Sequence, residues 1–257
     1  MNKDQVLKIM DYYKLMGAIK EDINIEDFVF NFSHPKFYLN TPELQYLKEK
    51  EKITMCINPD CIPFEYLDKN GNHIGIVNDY FKLFEKITKT KFELLPTKSW
   101  PESLENAKQR KCDILSLVSS TPAIKEYLNF TNAYLSEPVV IATRKEVTFI
   151  NEISELNGKN IGIRSHCPLL DELRKKYPTV NYIEVDNIDD GLQQVRKGKL
   201  FGYIGTLRGI GYTFENKDYP DLKIAGKLND NLALSIGVRN DDDILLTILQ
   251  KAINSIT

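Results

Sequence analysis

Ser116, Ser119, Ser120 and Thr121 fall within six residues, and Lys125 follows four positions on. Hydroxyls that donate neutral hydrogen bonds beside a cation make a receptor for a carboxylate. Ser and Thr ahead of Pro122 also read as plain helix capping. Ser119, Ser120 and Lys125 are therefore candidates in either sense. Trp100, the only tryptophan, stands just before Pro101. A large amphipathic ring at such a loop stacks on a bound solute or plugs a core. Arg164-Ser165-His166-Cys167-Pro168 leads into a helical pattern, where free N–H groups favour an anion; His166 either donates a hydrogen bond there or faces solvent. Asn58 to Glu65 follows an apolar strand pattern. Glu65 faces a cleft or merely ends a hairpin, and Phe64 reads as core.

Other chemistry is weakly supported. The three histidines lie far apart, and the four cysteines (Cys56, Cys61, Cys112, Cys167) form no CxxC, so neither a metal site nor a disulfide framework is expected. Glu65, Lys125 and His166 are conceivable acids or bases, but no nucleophile triad or carboxylate pair accompanies them. No catalytic set and no cofactor are expected. Lys plus Arg number 34 against 36 Asp plus Glu, which leaves no electrostatic footprint for nucleic acid. The apolar runs are too short to span a bilayer, and the N-terminus lacks the apolar core of a secretion signal.

The elements that must position these residues follow from periodicity. The chain has 257 residues, 42% hydrophobic and 27% charged, enough for one large or two small globular domains. Residues 3–17 carry a helical apolar face ending at Gly17. A short helix is expected from Thr41 as N-cap and Pro42 at the first position, to about residue 50. A strand at 53–57 is followed by a hairpin turning at Asn70-Gly71. A helix at 78–88, a strand at 91–95, a helix at 101–110 and a strand at 113–118 come next. PVVIATR restarts the series, continuing through ISELNGKNIGIR, CPLLDELRKKYP, NYIEVD, IDDGLQQVRKGK and LFGYIG. LALSIGVR and the helix DDDILLTILQKAINSI close it. Alternating strands and helices imply a parallel α/β sheet. Two such units without a Gly/Ser linker imply two lobes with a cleft between them.

ITMCINPDCIPFEYLDKNGNHIGIVNDYFKLF resembles the opening of bacterial extracellular solute-binding proteins of family 3. The resemblance runs in order through KSWPESLENAKQRKCDILSLVSSTPAIKEYLNFTNAYLSEPVVIATR to the last helix, covering about residues 52–257. TPELQYLKEKEKITMCI is similar to the lead-in of tandem sensor domains in membrane-bound histidine kinases and diguanylate cyclases. The resemblance implies a two-lobed periplasmic-binding-protein-like type II fold with an N-terminal helical extension. Residues 1–50 would be that extension, readable as the tail of an upstream domain. Residues 51–138 and 235–257 would form one lobe and 139–234 the other. The chain then reads as an excised sensory module, with a complete small protein as the alternative.

The resemblance also implies site residues. The position of Cys61 commonly holds an aromatic over the ligand, that of Lys125 an Arg, and that of His166 a Gly. Thr206 stands where amino-acid binders carry an Asp for the ligand's ammonium, and Asn58 is uncharged where some members have Asp. Both changes disfavour a standard α-amino acid, unless Glu65 takes the ammonium instead, and make a neutral or anionic solute such as a carboxylate equally open; the ligand class implied is thus an amino acid, a carboxylate or a related solute. Cys61 and Cys167 would lie on opposing walls, where an interlobe disulfide is conceivable. The function implied is an extracytoplasmic small-solute sensor domain, closing on its ligand and signalling to a downstream kinase or cyclase through transmembrane domains. A solute-binding protein of an ABC transporter is the alternative, and a dehydratase-type enzyme a more remote one. The partners implied are a small-molecule ligand, those downstream domains and, optionally, a second copy in a dimer.

Overall fold

The structure, a computed structural model, describes residues 37–256. The helical pattern at 3–17, and most of the segment read as an upstream tail, lie outside those residues. Phe37–Asn254 forms one compact unit.

Helix α1 (Thr41–Lys50) opens on Asn40 rather than Thr41. Asn40 Oδ1 accepts from Glu43 N at 2.9 Å, and Glu43 Oε2 accepts from Asn40 N at 2.8 Å. This reciprocal capping box satisfies two free donors at once. It moves Thr41 and Pro42 into the first turn, which corrects the expected cap.

The first lobe is built on β1 (Lys52–Cys56), β5 (Lys91–Leu94) and β6 (Ile114–Val118). β1 lies between the other two and runs parallel to both, with Met55 opposite Leu94 on one side and Ile114 on the other. Parallel neighbours need crossovers, supplied by α2 (Ile76–Thr88) and α3 (Trp100–Lys108). Phe81 meets Phe84 and Phe92 edge-on at 5.3 and 5.0 Å, which pins α2 to the sheet. Three short strands, β2 (Asp60–Cys61), β3 (Glu65–Leu67) and β4 (His73–Ile74), form an antiparallel meander. Asp68 Oδ1 closes its Asn70-Gly71 turn by accepting from Asn70 N and Asn72 N, both at 2.8 Å. A four-residue helix, α4 (Pro122–Lys125), and β7 (Leu128–Phe130) lead out of the lobe.

The second lobe comprises β8 (Leu135–Arg144), a 3-10 turn at Ile153–Leu156, β9 (Asn160–Arg164), α5 (Leu170–Lys176), β10 (Asn181–Val185), α6 (Ile188–Arg196), β11 (Gly202–Thr206) and α7 (Leu207–Asn216). Buried Tyr203, Leu192, Val195 and Ile210 form its core. In ISELNGKNIGIR, expected as a helix, turn and strand, the helix is only this single 3-10 turn.

LALSIGVR is the end of a far longer strand, β12 (Leu222–Arg239). β12 pairs with β8 through Leu234, then with β6 from Ser235 and with β7 from Gly237. The strand order is β10-β9-β11-β8-β12-β6-β1-β5, so β8 and β12 join the sheets of both lobes. Their register shifts between Lys227 and Asn231, and Asn231 faces Pro138, which has no N–H to give. α8 (Asp243–Asn254) ends the unit, burying Leu245, Ile248 and Leu249.

Candidate ligand cleft

Parallel strands deliver their C-terminal loops to one edge, where such folds bind ligands. Here β1 leads into residues 57–59, β6 into 119–121, β9 into 165–168 and β11 into α7. Contacts link these loops across the lobes. Arg164 Nη2, ending β9, lies 3.5 Å from Asp60 Oδ2 on the first lobe. α7 starts close beneath the first-lobe loop: a Cβ added to Gly209 would sit 3.8 Å from the Ile62 carbonyl oxygen. Arg208 Nε, in the same helical turn, is 3.2 Å from Glu137 Oε1 of β8, whose side chain is buried.

The first loop is held from below. Asn58 is half-buried, and its backbone N–H donates to Glu65 Oε1 at 2.8 Å. Glu65 is fully buried, and the Ser116 hydroxyl donates to its Oε2. Burial pushes its carboxyl up to about 8, against the hydrogen bonds from Ser116 and Asn58 that favour the anion. His73 Nε2 lies 3.7 Å from the same carboxyl and has no hydrogen-bond partner. Burial lowers that imidazole to about 4. The Tyr134 hydroxyl donates to the Ser116 carbonyl at 2.7 Å. Of the two roles open to Glu65, the structure places it beneath the loop as a support, with no exposed surface for a solute.

Cys61 ends β2 half-buried, its thiol pushed up to about 12 by burial and partly offset by Arg164. Cys167 is also half-buried, with its thiol raised by burial and lowered by the same arginine. Arg164 acts electrostatically on both cysteines, and both are free thiols. His166 is exposed and adopts a left-handed backbone, φ +60°. That conformation favours Gly, which accounts for the Gly implied at this position. Thr206 is the N-cap of α7, its Oγ1 accepting from Gly209 N at 3.2 Å. Ser119 is half-buried and Ser120 exposed after β6, while Lys125 is exposed at the end of α4. Thr121 caps α4 without a side-chain hydrogen bond. Trp100 opens α3 and packs on the first-lobe core beside Leu104 and Ile124, against Leu115, Val118 and Leu128.

Asn58, Cys61, Cys167 and Thr206 lie on or beside these loops, but the cross-lobe ion pair is made by two residues of the same segments that were not singled out, Asp60 and Arg164. Arg208 and Glu137 form a further ion pair where α7 meets β8. Asp60 starts β2 and Arg164 ends β9, on segments far apart in sequence, so their pairing had no local signal.

Two α/β lobes hung on shared strands, with facing loops at the strand ends, define a type II periplasmic-binding-protein fold. Residues 53–257 match the family model of bacterial extracellular solute-binding proteins, family 3, and the chain belongs to that family. Membership places the domain outside the cytoplasm. The chain is 20% identical over 228 residues to the virulence sensor protein BvgS of Bordetella pertussis (88% of this chain, 18% of BvgS). It is 23% identical over 229 residues to the sensor protein EvgS of Escherichia coli K12 (85% and 19%). It spans under a fifth of these curated relatives. The crystal structure of the B. pertussis BvgS periplasmic VFT2 domain superposes with a TM-score of 0.78 at 19% identity, covering 86% of this chain and 94% of that one. The arginine-bound form of truncated ArgBP from T. maritima gives a TM-score of 0.68 at 20% identity, covering 83% and 100%. Among the described residues, no helix is long and apolar enough to cross a membrane.

Proposed function

We propose that this chain is the solute-binding sensor domain of a membrane-anchored signalling protein. A small solute enters between the lobes, favours the closed arrangement and shifts a signalling equilibrium in a downstream kinase or cyclase. The observation that carries this reading is the meeting of Asp60 and Arg164, from opposite lobes, over hinge strands common to both. Similarity to BvgS and EvgS, both named as sensor proteins, supports the signalling role. Binding rather than turnover fits the side chains: Glu65 is fully buried, and Lys125 and His166 are exposed on different lobes, with no acid–base partner beside either among the described residues.

The test is a thermal-shift screen of the purified domain against amino acids, polyamines, organic acids and purines. A ligand at 100 times its Kd stabilises the fold by about 2.7 kcal/mol, a shift of about 5–11 °C for a domain of this size. A reproducible shift by one chemical class is the expected result; no shift by any class would overturn the reading. A second reading, a transport receptor, has the likeness to ArgBP in its favour. Sequencing the whole gene separates the two: a transmembrane helix and kinase or cyclase domain on the same chain sinks the receptor, and a secreted chain ending near residue 257 sinks the sensor.

A further inference from the structure

Arg164 meets Asp60 through one nitrogen and one oxygen, at 3.5 Å. Charge-assisted N–H···O bonds run about 2.7–2.9 Å, so this pair is loose. The Arg164 side chain is only 24% exposed, whereas Asp60 is 60% exposed and free to swing into solvent. A guanidinium presents five donors in a planar fork suited to both oxygens of a carboxylate. Asp60 and the Cys61 thiol, which shares a hydrogen bond with Arg164, are weak partners for that fork at a place where water is partly excluded.

The rest of the surroundings are neutral or already paired. Cys61 and Cys167 flank Arg164 as protonated thiols, and Tyr203 behind them is buried. Glu65 is closed off beneath the first loop, and Glu137 is paired with Arg208. Thr206 carries no charge, and its hydroxyl caps α7. This wall of the cleft offers a half-desolvated cation but supplies no unpaired acid for an ammonium.

We infer that Arg164 is the anchor for an anionic solute, a small carboxylate, which takes the guanidinium over from Asp60 when it binds. The inference rests on the reading of the cleft as a solute site and narrows its ligand class. Asp60 then acts as a built-in competitor.

The experiment is titration calorimetry of the domain with succinate, citrate and benzoate, with succinamide and benzamide as uncharged counterparts and L-glutamine as an ammonium-bearing control. Wild type is expected to bind at least one carboxylate and to ignore its amide. Arg164→Gln should weaken that carboxylate by about thirtyfold or more, the usual cost of losing one member of a desolvated charge pair. Arg164→Lys, which keeps the charge and loses the fork, should fall between. It also guards against a Gln variant that fails to fold. Asp60→Asn should bind the carboxylate several-fold more tightly, because the competitor is gone. Unchanged affinity in both Arg164 variants, or weaker binding in Asp60→Asn, would overturn the assignment. Binding confined to the amides, or binding of L-glutamine that Arg164→Gln leaves unchanged, would overturn it too, while leaving the solute-binding reading intact. No binding of any probe by wild type or Asp60→Asn would count against both.

Discussion

Glu43 and Lys251, 208 residues apart in sequence, meet with both carboxylate oxygens 2.7 Å from the ammonium nitrogen. Glu43 is almost wholly buried and Lys251 about a third exposed, so the pair joins α1 to α8 at the edge of the first lobe. The other end of α1 is tied as firmly. Lys50 Nζ is 2.7 Å from Asp113 and 3.3 Å from Asp242, and the Tyr46 hydroxyl donates to Asp242 at 2.6 Å. A helix with few buried apolar residues is held here mainly by ionic and polar contacts.

Lys251→Met should therefore destabilise the unit. Removing one partner of a fully buried pair costs about 3–5 kcal/mol, and the exposure of Lys251 reduces that to about 1–3 kcal/mol. Urea denaturation should show a lower midpoint at an unchanged slope. Adding Glu43→Leu should recover part of the loss, since no uncompensated charge then remains.

Glu65 and His73 set a pH dependence of opposite sign. Burial opposes charge on both, so the folded state holds a neutral acid beside a neutral imidazole. The carboxyl titrates near 8 folded and about 4.3 unfolded; its contribution is complete below about 4.3 and is lost as pH rises toward 8. The imidazole titrates near 4 folded and about 6.5 unfolded; its contribution is complete above about 6.5 and is lost as pH falls toward 4. The two slopes cancel between about 4.5 and 6.5 and leave a decline from 6.5 to 8. Glu65→Gln should abolish that decline in melting temperature. A wild-type curve flat from pH 6.5 to 8, with no difference in the variant, would contradict the buried neutral acid.

Gly75 cannot be replaced without damage. Its φ is +114°, and an added Cβ would lie 2.4 Å from the Phe64 carbonyl oxygen, a backbone atom with little room to yield. Gly75→Ala should cost about 3 kcal/mol or more. Gly158→Ala is the comparison: φ is +69° there, but no atom lies within 4 Å of the new methyl, so only the backbone cost of about 1 kcal/mol is expected. Equal melting temperatures for the two variants would refute the steric account.

His166→Gly should be neutral or stabilising, by up to about 1 kcal/mol, because the side chain is exposed and the backbone left-handed. Differential scanning calorimetry reads this directly. A loss of stability would mean that the imidazole makes a contribution its exposure does not suggest.

Native thiol labelling should be slow at neutral pH. Burial raises the thiols of Cys61 and Cys167, and the thiolate is the reactive form. Intact mass after N-ethylmaleimide should show few adducts on the folded domain and four after unfolding under non-reducing conditions. Only two adducts on the unfolded chain would reveal a disulfide instead.

The alternation of strands and helices was plain in the sequence because amphipathic faces such as Phe81 and Phe84 repeat at helical spacing. The Asn70-Gly71 turn was equally plain, since its chemistry is local. The length of β12 was not. LKIAGKLNDNLALSIGVR contains Gly226 and Asn-Asp-Asn, which locally signal a break; pairing with β8 across both lobes overrides them. Within the cleft, loop positions were legible but side-chain fates were not. Whether Glu65 points up to a solute or down to Ser116 is decided by β6, a strand 50 residues away in sequence, and Trp100 is claimed by a core assembled from several distant segments. The pairing of Asp60 with Arg164 depends on how two lobes approach, which no local pattern encodes.

The double strand formed by β8 and β12 has a mechanical meaning. Two hydrogen-bonded strands resist sliding past each other but bend and twist readily, and the register shift opposite Pro138 is where such a ribbon yields most easily. In shape the ribbon is a leaf spring, stiff along its length and compliant across it. One end of that spring, Arg239, is four residues from the start of α8, the helix to which Glu43 fastens α1. The ribbon is thereby joined, through a four-residue step, to two helices clamped together by one partly buried ion pair.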